Sequence, residues 1–225
     1  MITVTRDLVR TVKVTIEDDK EMLDLIAKYS PSINIKGKSC CRLNKEDREK
    51  TWLADQTCGE AGSLALHLIH FERDVAVDLY IQSKLKKYPK GKGDGGYDII
   101  DTPIDVKNTA TMITGYIKDN TRNKPKISSY RLLVAECEMH KNHIYVCALS
   151  EIIEPTKYVT HVIGWAHSSD FPLKPEPPES NWAGSFLLRN TTLRKLPVPD
   201  VFPQHIKDKL KFDRFHGDPI YDVQL

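Results

Sequence analysis

The chain has 225 residues, enough for one generous globular domain or a domain with a short appendage, and it contains no uninterrupted apolar run of about 18 residues. Hydrophobic residues at 40% and charged residues at 28%, with a mean hydropathy of −0.42, match an ordinary soluble protein and exclude a membrane span. A net charge of +2 and a pI near 8.2 neither demand nor repel a nucleic-acid partner, so the clustering of charge decides. The opening MITVTRDLVRTVKVTIEDD carries charges where a signal peptide would need an apolar stretch, which predicts a cytoplasmic or nucleoid protein. The cysteines (Cys40, Cys41, Cys58, Cys137, Cys147) are odd in number and include an adjacent pair, a poor disulfide framework that reads as free thiols.

Up to about Lys36, Ile2, Val4, Val12, Val14 and Ile16 alternate with polar residues and predict a strand, after which Met22, Leu23, Ile26 and Ala27 have helical spacing. From Asp55 to Leu85 one long helical pattern places Ala61, Ala65, Leu68, Ile69, Val75, Ala76 and Leu79 three and four apart. Next, SKLKKYPKGKGDGG reads as a basic mobile loop with Lys84, Lys86, Lys87, Lys90 and Lys92, and as solvated surface when taken alone. Short β-like runs follow at 97–100, 103–109, 130–138, 143–150 and 158–167, predicting a mixed sheet and an α/β class. Eight of thirteen prolines fall between Pro172 and Pro219, which predicts an extended segment wrapping the rest.

The segment GDGGYDIIDTPIDVKNTA carries the chemistry. In a strand, side chains two apart share a face, so Asp105 and Lys107 point one way and Val106 points into the core behind them. With Asp101-Thr102 as a two-residue turn, Asp98 lies opposite Asp105, their Cβ atoms within roughly 5 Å. Two carboxylates that close repel unless one is protonated or a cation lies between them, and a hard divalent ion prefers carboxylate oxygens and water. Lys107 beside such an ion would hold a water or hydroxide and a phosphate oxygen, as metal-assisted phosphodiester hydrolysis requires. The alternative is a pair of exposed strand carboxylates with Lys107 in an ordinary surface ion pair. Against it stand the poor strand propensity of Asp and Lys and the basic loop just upstream.

Asp98, six intervening residues and then Asp105-Val106-Lys107, downstream of a Glu-bearing helix and upstream of further strands, resembles the PD-(D/E)XK nuclease superfamily. Within it, the order of a helix with Gly-Glu, GDGGYD, IDVKNT, YVCAL and VIGWA is similar to that of phage and prokaryotic nuclease-like proteins. Tyr97 stands where the family has its proline. The resemblance covers residues 55 to 171 and implies a restriction-endonuclease-like core: a central mixed sheet flanked by helices. Residues 1–54 then form a β/α lead-in, and 172–225 a proline-rich extension packed on the core. The resemblance further implies that Asp98, Asp105 and the Val106 carbonyl ligate Mg²⁺ or Mn²⁺, that Lys107 positions the nucleophilic water, and that a helix glutamate assists. Glu60, in CGEAGS, and Glu72, in HFERDV, are both candidates: Glu72 falls in the middle of the apolar stripe, where a bare carboxylate is costly, and Glu60 about 120° off it near the helix start.

The expected partner is DNA, with a homodimer as an option, no membrane and no nucleotide cofactor, in a prokaryotic or phage-infected cytoplasm. Lys86, Lys87, Lys90, Lys92, Lys124 and Lys126, with Lys118 and Arg122, are placed to neutralise phosphates. Cys137, His140 and His143 lack an evident fourth zinc ligand and read as turn residues, and His67 and His70 read as packed. Trp165 reads as core, and His167, near the end of its strand, as a candidate substrate contact. No G-x4-G-K-[ST] motif is present. The leading expectation is a metal-dependent DNA nuclease; the alternatives are a non-catalytic DNA-binding or assembly protein on the same fold, and an RNA-directed nuclease.

Overall fold

Alternating apolar residues near the start of the chain form an antiparallel pair, β1 (Ile2–Arg6) and β2 (Val12–Glu17), with Ile2, Val4, Val12, Val14 and Ile16 turned to one buried face. The computed structural model describes residues 1–6, 11–30, 45–86, 97–108, 131–154, 156–180, 183–189, 192–196, 198 and 201–211, with backbone alone for 45–56 and 223–224. After β2, the Asp19 carboxylate accepts from the Met22 N–H and starts α1 (Lys20–Tyr29). Met22, Leu25, Ile26 and Tyr29 bury its inner face, and Ala27 is exposed.

The long helical pattern is two helices, not one. α2 (Lys45–His70) ends where Phe71 forms an isolated antiparallel bridge with Leu210, and α3 (Arg73–Leu85) starts afresh after Glu72. The Lys211 N–H donates to the His70 carbonyl and its ammonium to that of Leu68, so a segment distant in sequence satisfies the last carbonyls of α2. Arg73 of α3 ion-pairs with both Asp19 and Glu21, tying α3 to α1.

The run at 97–100 is a turn rather than a strand: the Thr102 N–H closes on the Ile99 carbonyl, and Asp101 takes a φ of 59°, a left-handed conformation that a short polar side chain tolerates. β3 (Ile104–Asn108) then pairs parallel with β5 (Ile144–Glu154), which pairs antiparallel with β6 (Lys157–His167); β6 continues antiparallel to β2. The sheet order is β3-β5-β6-β2-β1, with the two-residue β8 (Val223–Gln224) beyond β1. The molecule is thus a mixed α/β protein built on a mixed sheet, with β3 at one edge.

Period-two alternation gives this sheet two buried faces. Ile144, Val146 and Ala148 face the helices with Ala61, Ala65, Leu68, Leu79 and Tyr80, in a core that Leu196, Val198, Phe202 and Ile206, the last from α4 (Gln204–Lys207), also enter. Tyr145, Cys147 and Leu149 face the other way, onto Leu132 and Val134 of β4 (Arg131–Ala135), which pairs with β7 (Ser185–Arg189) as a separate two-stranded sheet. Where residues 192–196 cross β6, the Arg194 carbonyl comes so close that a Cβ on Gly164 would lie 2.5 Å from it. Trp165, beside that glycine, is core, and its indole N–H donates to the Lys195 carbonyl. Among the described residues no helix is long and apolar enough to cross a membrane.

Candidate active site

β3 organises the candidate site because its two faces and its outer edge each carry a different group. Val106 belongs to the core on the helix side. Asp105 and Lys107 stand in register with Tyr145 and Cys147, whose side chains face β4, and therefore share that opposite face. The Lys107 ammonium lies 2.9 Å from a carboxylate oxygen of Asp105 and 2.9 Å from one of Glu138, in a 3-10 turn over Glu136–Glu138. Burial alone would lower the Lys107 pKa, but the Asp105 and Glu138 carboxylates outweigh it and raise it, so this lysine is a fixed cation.

Asp98 does not stand opposite Asp105. Its N–H donates to the Ile104 carbonyl, and its Oδ2 accepts from the Val106 N–H at 2.7 Å, so it aligns one residue away and lies along the outer edge of β3. The Pro103 carbonyl accepts from Ile144 of β5, so alternate residues 103, 105 and 107 direct their backbone groups inward. Residues 104 and 106 direct theirs outward, and the Val106 carbonyl therefore emerges on the side that holds Asp98.

The helix side supplies the remaining charges. Lys84, in the last turn of α3, reaches Glu60 Oε2 at 2.7 Å and Asp98 Oδ1 at 3.5 Å. The same Glu60 oxygen accepts from the Tyr80 hydroxyl at 2.7 Å. Burial, and next the Glu60 carboxylate, push the Tyr80 phenol well above its ordinary pKa and keep it a donor. Lys84, grouped by sequence with a basic loop, is thus a linker between two carboxylates. Asn108 completes the frame: its amide N–H groups donate to the Cys58 carbonyl and to Ser150 Oγ, and its Oδ1 accepts from the Ser150 N–H at 3.1 Å. A Cβ on Gly62 would lie 2.6 Å from that amide nitrogen, so the glycine lets α2 approach β3 closely.

The two helix glutamates are now separated. Glu60 lies in the interior of α2, its side chain 9% exposed, and joins the group through Lys84. Glu72 precedes α3 and is 57% exposed, with Lys211 at 3.9 Å; the break between the helices removes it from the apolar stripe and from this group. Of the lysines expected to meet phosphates, Lys86 pairs with Asp101; Lys87, Lys90, Lys92, Lys124 and Lys126, with Lys118 and Arg122, lie outside the described residues. His67 and His70 are packed, each with Nδ1 against a carbonyl one turn back, and His167 caps the turn after β6 through Ser169 and Asp170. Tyr80 and Glu138 have no role in the sequence pattern, and Lys84, read there as part of a mobile loop, belongs to the last turn of α3. For Lys84 one signal exists, its helical i, i+4 spacing from Tyr80, whereas Glu138 meets Lys107 only through the fold.

The oxygen donors Asp98, Asp105 and the Val106 carbonyl are of the kind a hard dication takes. Each lysine serves two carboxylates, Lys84 with Glu60 and Asp98 and Lys107 with Asp105 and Glu138, so each group keeps one negative charge in excess. Among the described residues no three His, Cys, Asp or Glu side chains are already gathered as a metal-holding group. A comparison with family models, curated proteins and solved structures finds no match to the chain.

Proposed function

We propose that the chain is a divalent-cation-dependent nuclease with a restriction-endonuclease-like core, hydrolysing phosphodiester bonds of DNA with Mg²⁺ or Mn²⁺. The observation that carries the reading is the arrangement on β3: Asp105 and Lys107 on one face, Val106 in the core, and Asp98 bound to the Val106 N–H along the outer edge. Asp98, Asp105 and the Val106 carbonyl would hold the ion, which when bound supplies an acidified water and positive charge at the phosphate under attack. Lys107, held between Asp105 and Glu138, offers its N–H groups to a phosphate oxygen or to the attacking water. Tyr80 and Lys84 fix the orientation of Glu60, and Lys84 orients Asp98 as well. Lys86, Lys87, Lys90 and Lys92, with Lys124 and Lys126, would neutralise flanking phosphates without reading sequence.

The test is incubation of the full chain with supercoiled, linear and branched DNA in Mg²⁺, Mn²⁺ or EDTA. Cleavage should require the cation and vanish in both Asp105→Ala and Lys107→Ala chains of unchanged circular dichroism. Cleavage that survives either substitution, or EDTA, overturns the reading. One observation favours a second reading, a non-catalytic DNA-binding protein: each inner carboxylate already has a lysine partner within the protein. That reading requires DNA binding without cleavage under all these conditions, and no Mg²⁺ or Mn²⁺ binding by calorimetry that Asp98→Asn removes.

A further inference from the structure

Beside the charged group stands a cluster of rings that the proposed hydrolysis does not use. His143, just before β5, lies 5.1 Å from the Tyr97 ring at 32° and 4.9 Å from the His140 ring at 44°, tilted contacts at centroid distances usual for aromatic pairs. His143 is buried, whereas Tyr97 and His140 are each partly exposed. The main chain that carries the two histidines is anchored. The Tyr145 hydroxyl accepts from the His140 N–H at 2.6 Å and donates to the Glu138 carbonyl at 2.9 Å, and the His143 carbonyl accepts from the Ser168 N–H. Asn142, with a φ of 63°, turns the chain between the two histidines.

The cluster is tied to the charged group at three points. Tyr97 immediately precedes Asp98, Glu138 lies two residues before His140 and contacts Lys107, and Tyr145 is the register partner of Asp105. A nucleotide whose phosphate meets Lys107 would lie beside Glu138, two residues before His140, on the segment that carries these rings. We propose that Tyr97 and His140, backed by the buried His143 ring, form a stacking platform for an unpaired nucleobase, so that the site takes single-stranded or locally opened DNA. This substrate class rests on the nuclease reading, although the stacking itself is measurable without cleavage. Every base has a π-face, so such a platform binds with little sequence preference, whereas bases inside a duplex are already stacked on one another.

The experiment uses the full chain in EDTA with a short oligothymidylate carrying one 2-aminopurine, and a hairpin duplex of the same length as comparison. Binding should change the 2-aminopurine fluorescence at one position of the oligonucleotide. Tyr97→Leu and His140→Ala should each weaken single-strand binding by about tenfold, leave duplex binding unchanged and remove the fluorescence change, while Tyr97→Phe retains all three. Equal affinity of the parent for both forms, a fluorescence signal indifferent to the substitutions, or equal losses for duplex and single strand would overturn the platform. Loss of the platform result alongside cation-dependent cleavage that needs Asp105 and Lys107 leaves the nuclease standing. A positive platform result without cleavage leaves single-strand binding standing and removes the nuclease.

Discussion

Lys84 holds two carboxylates with one ammonium, and its partner Glu60 is nearly enclosed. Removing one member of a buried pair strands the other charge, so Lys84→Met should destabilise the fold by about 3 kcal/mol. Glu60→Gln in the same chain should recover much of that loss, because the carboxylate that needed Lys84 is gone. Thermal melts of the four chains close the cycle, and strictly additive losses would show that the two residues do not couple. In cleavage assays Glu60→Gln should remove most activity and Glu72→Gln little, since Glu72 is half out in solvent with Lys211 as its neighbour. Wild-type rates for Glu60→Gln would take that residue out of the machinery. The sequence alone leaves these two glutamates undecided, because the choice turns on a helix break whose partners, Leu210 and Lys211, lie about 140 residues further along the chain.

At the level of elements, α2 and β3 meet where Gly62 faces Asn108, and Asn108 cannot yield easily because Cys58 and Ser150 hold its amide. Alanine is the better helix former by about 1 kcal/mol. Gly59, with no atom near a notional Cβ, should gain about that much as Gly59→Ala. Gly62→Ala should instead lose about 1–3 kcal/mol, because the methyl pushes the helix off the strand. Urea midpoints of the two variants, moving in opposite directions, are the check; two equal gains would mean that Asn108 gives way. Alternation is local and makes the sheet faces legible, although the opening run that reads as one strand is two, β1 and β2: Val106 on one face with Asp105 and Lys107 on the other follows from spacing alone. The two isoleucines at 97–100 suggest a strand, whereas Asp98 bonds to β3 from a turn. Glu138 and Tyr80 were invisible because their partners are assembled by the fold and not by neighbouring positions.

At the level of the whole molecule, two histidines sit in the core between α2, α3 and the C-terminal segment. His67 packs edge-on against Tyr80, and His70 packs against Phe202. Burial lowers the His67 pKa to about 3 and the His70 pKa to about 4, from 6.5. Above pH 6.5 both are neutral in either state and neither affects stability. Below it the unfolded chain takes up protons that the native core refuses, so stability falls by up to about 1.4 kcal/mol per pH unit for each histidine until the native pKa is reached. The melting temperature should therefore drop between pH 6.5 and 4, and a His70→Leu chain should drop less steeply. Parallel curves for the two chains would assign the acid sensitivity elsewhere.

A last consequence concerns how copies of the molecule can meet. An edge strand ordinarily offers its outward N–H and C=O groups to any passing β-strand. On β3 the Ile104 carbonyl and the Val106 N–H are both taken by Asp98, which plugs the edge as a neighbouring strand would. Two copies of the chain therefore cannot continue the sheet through this half of β3. If the molecule pairs with itself, the partner must dock elsewhere than on this half of β3, and Asp98 keeps its place along the strand's outer edge in the dimer as in the monomer.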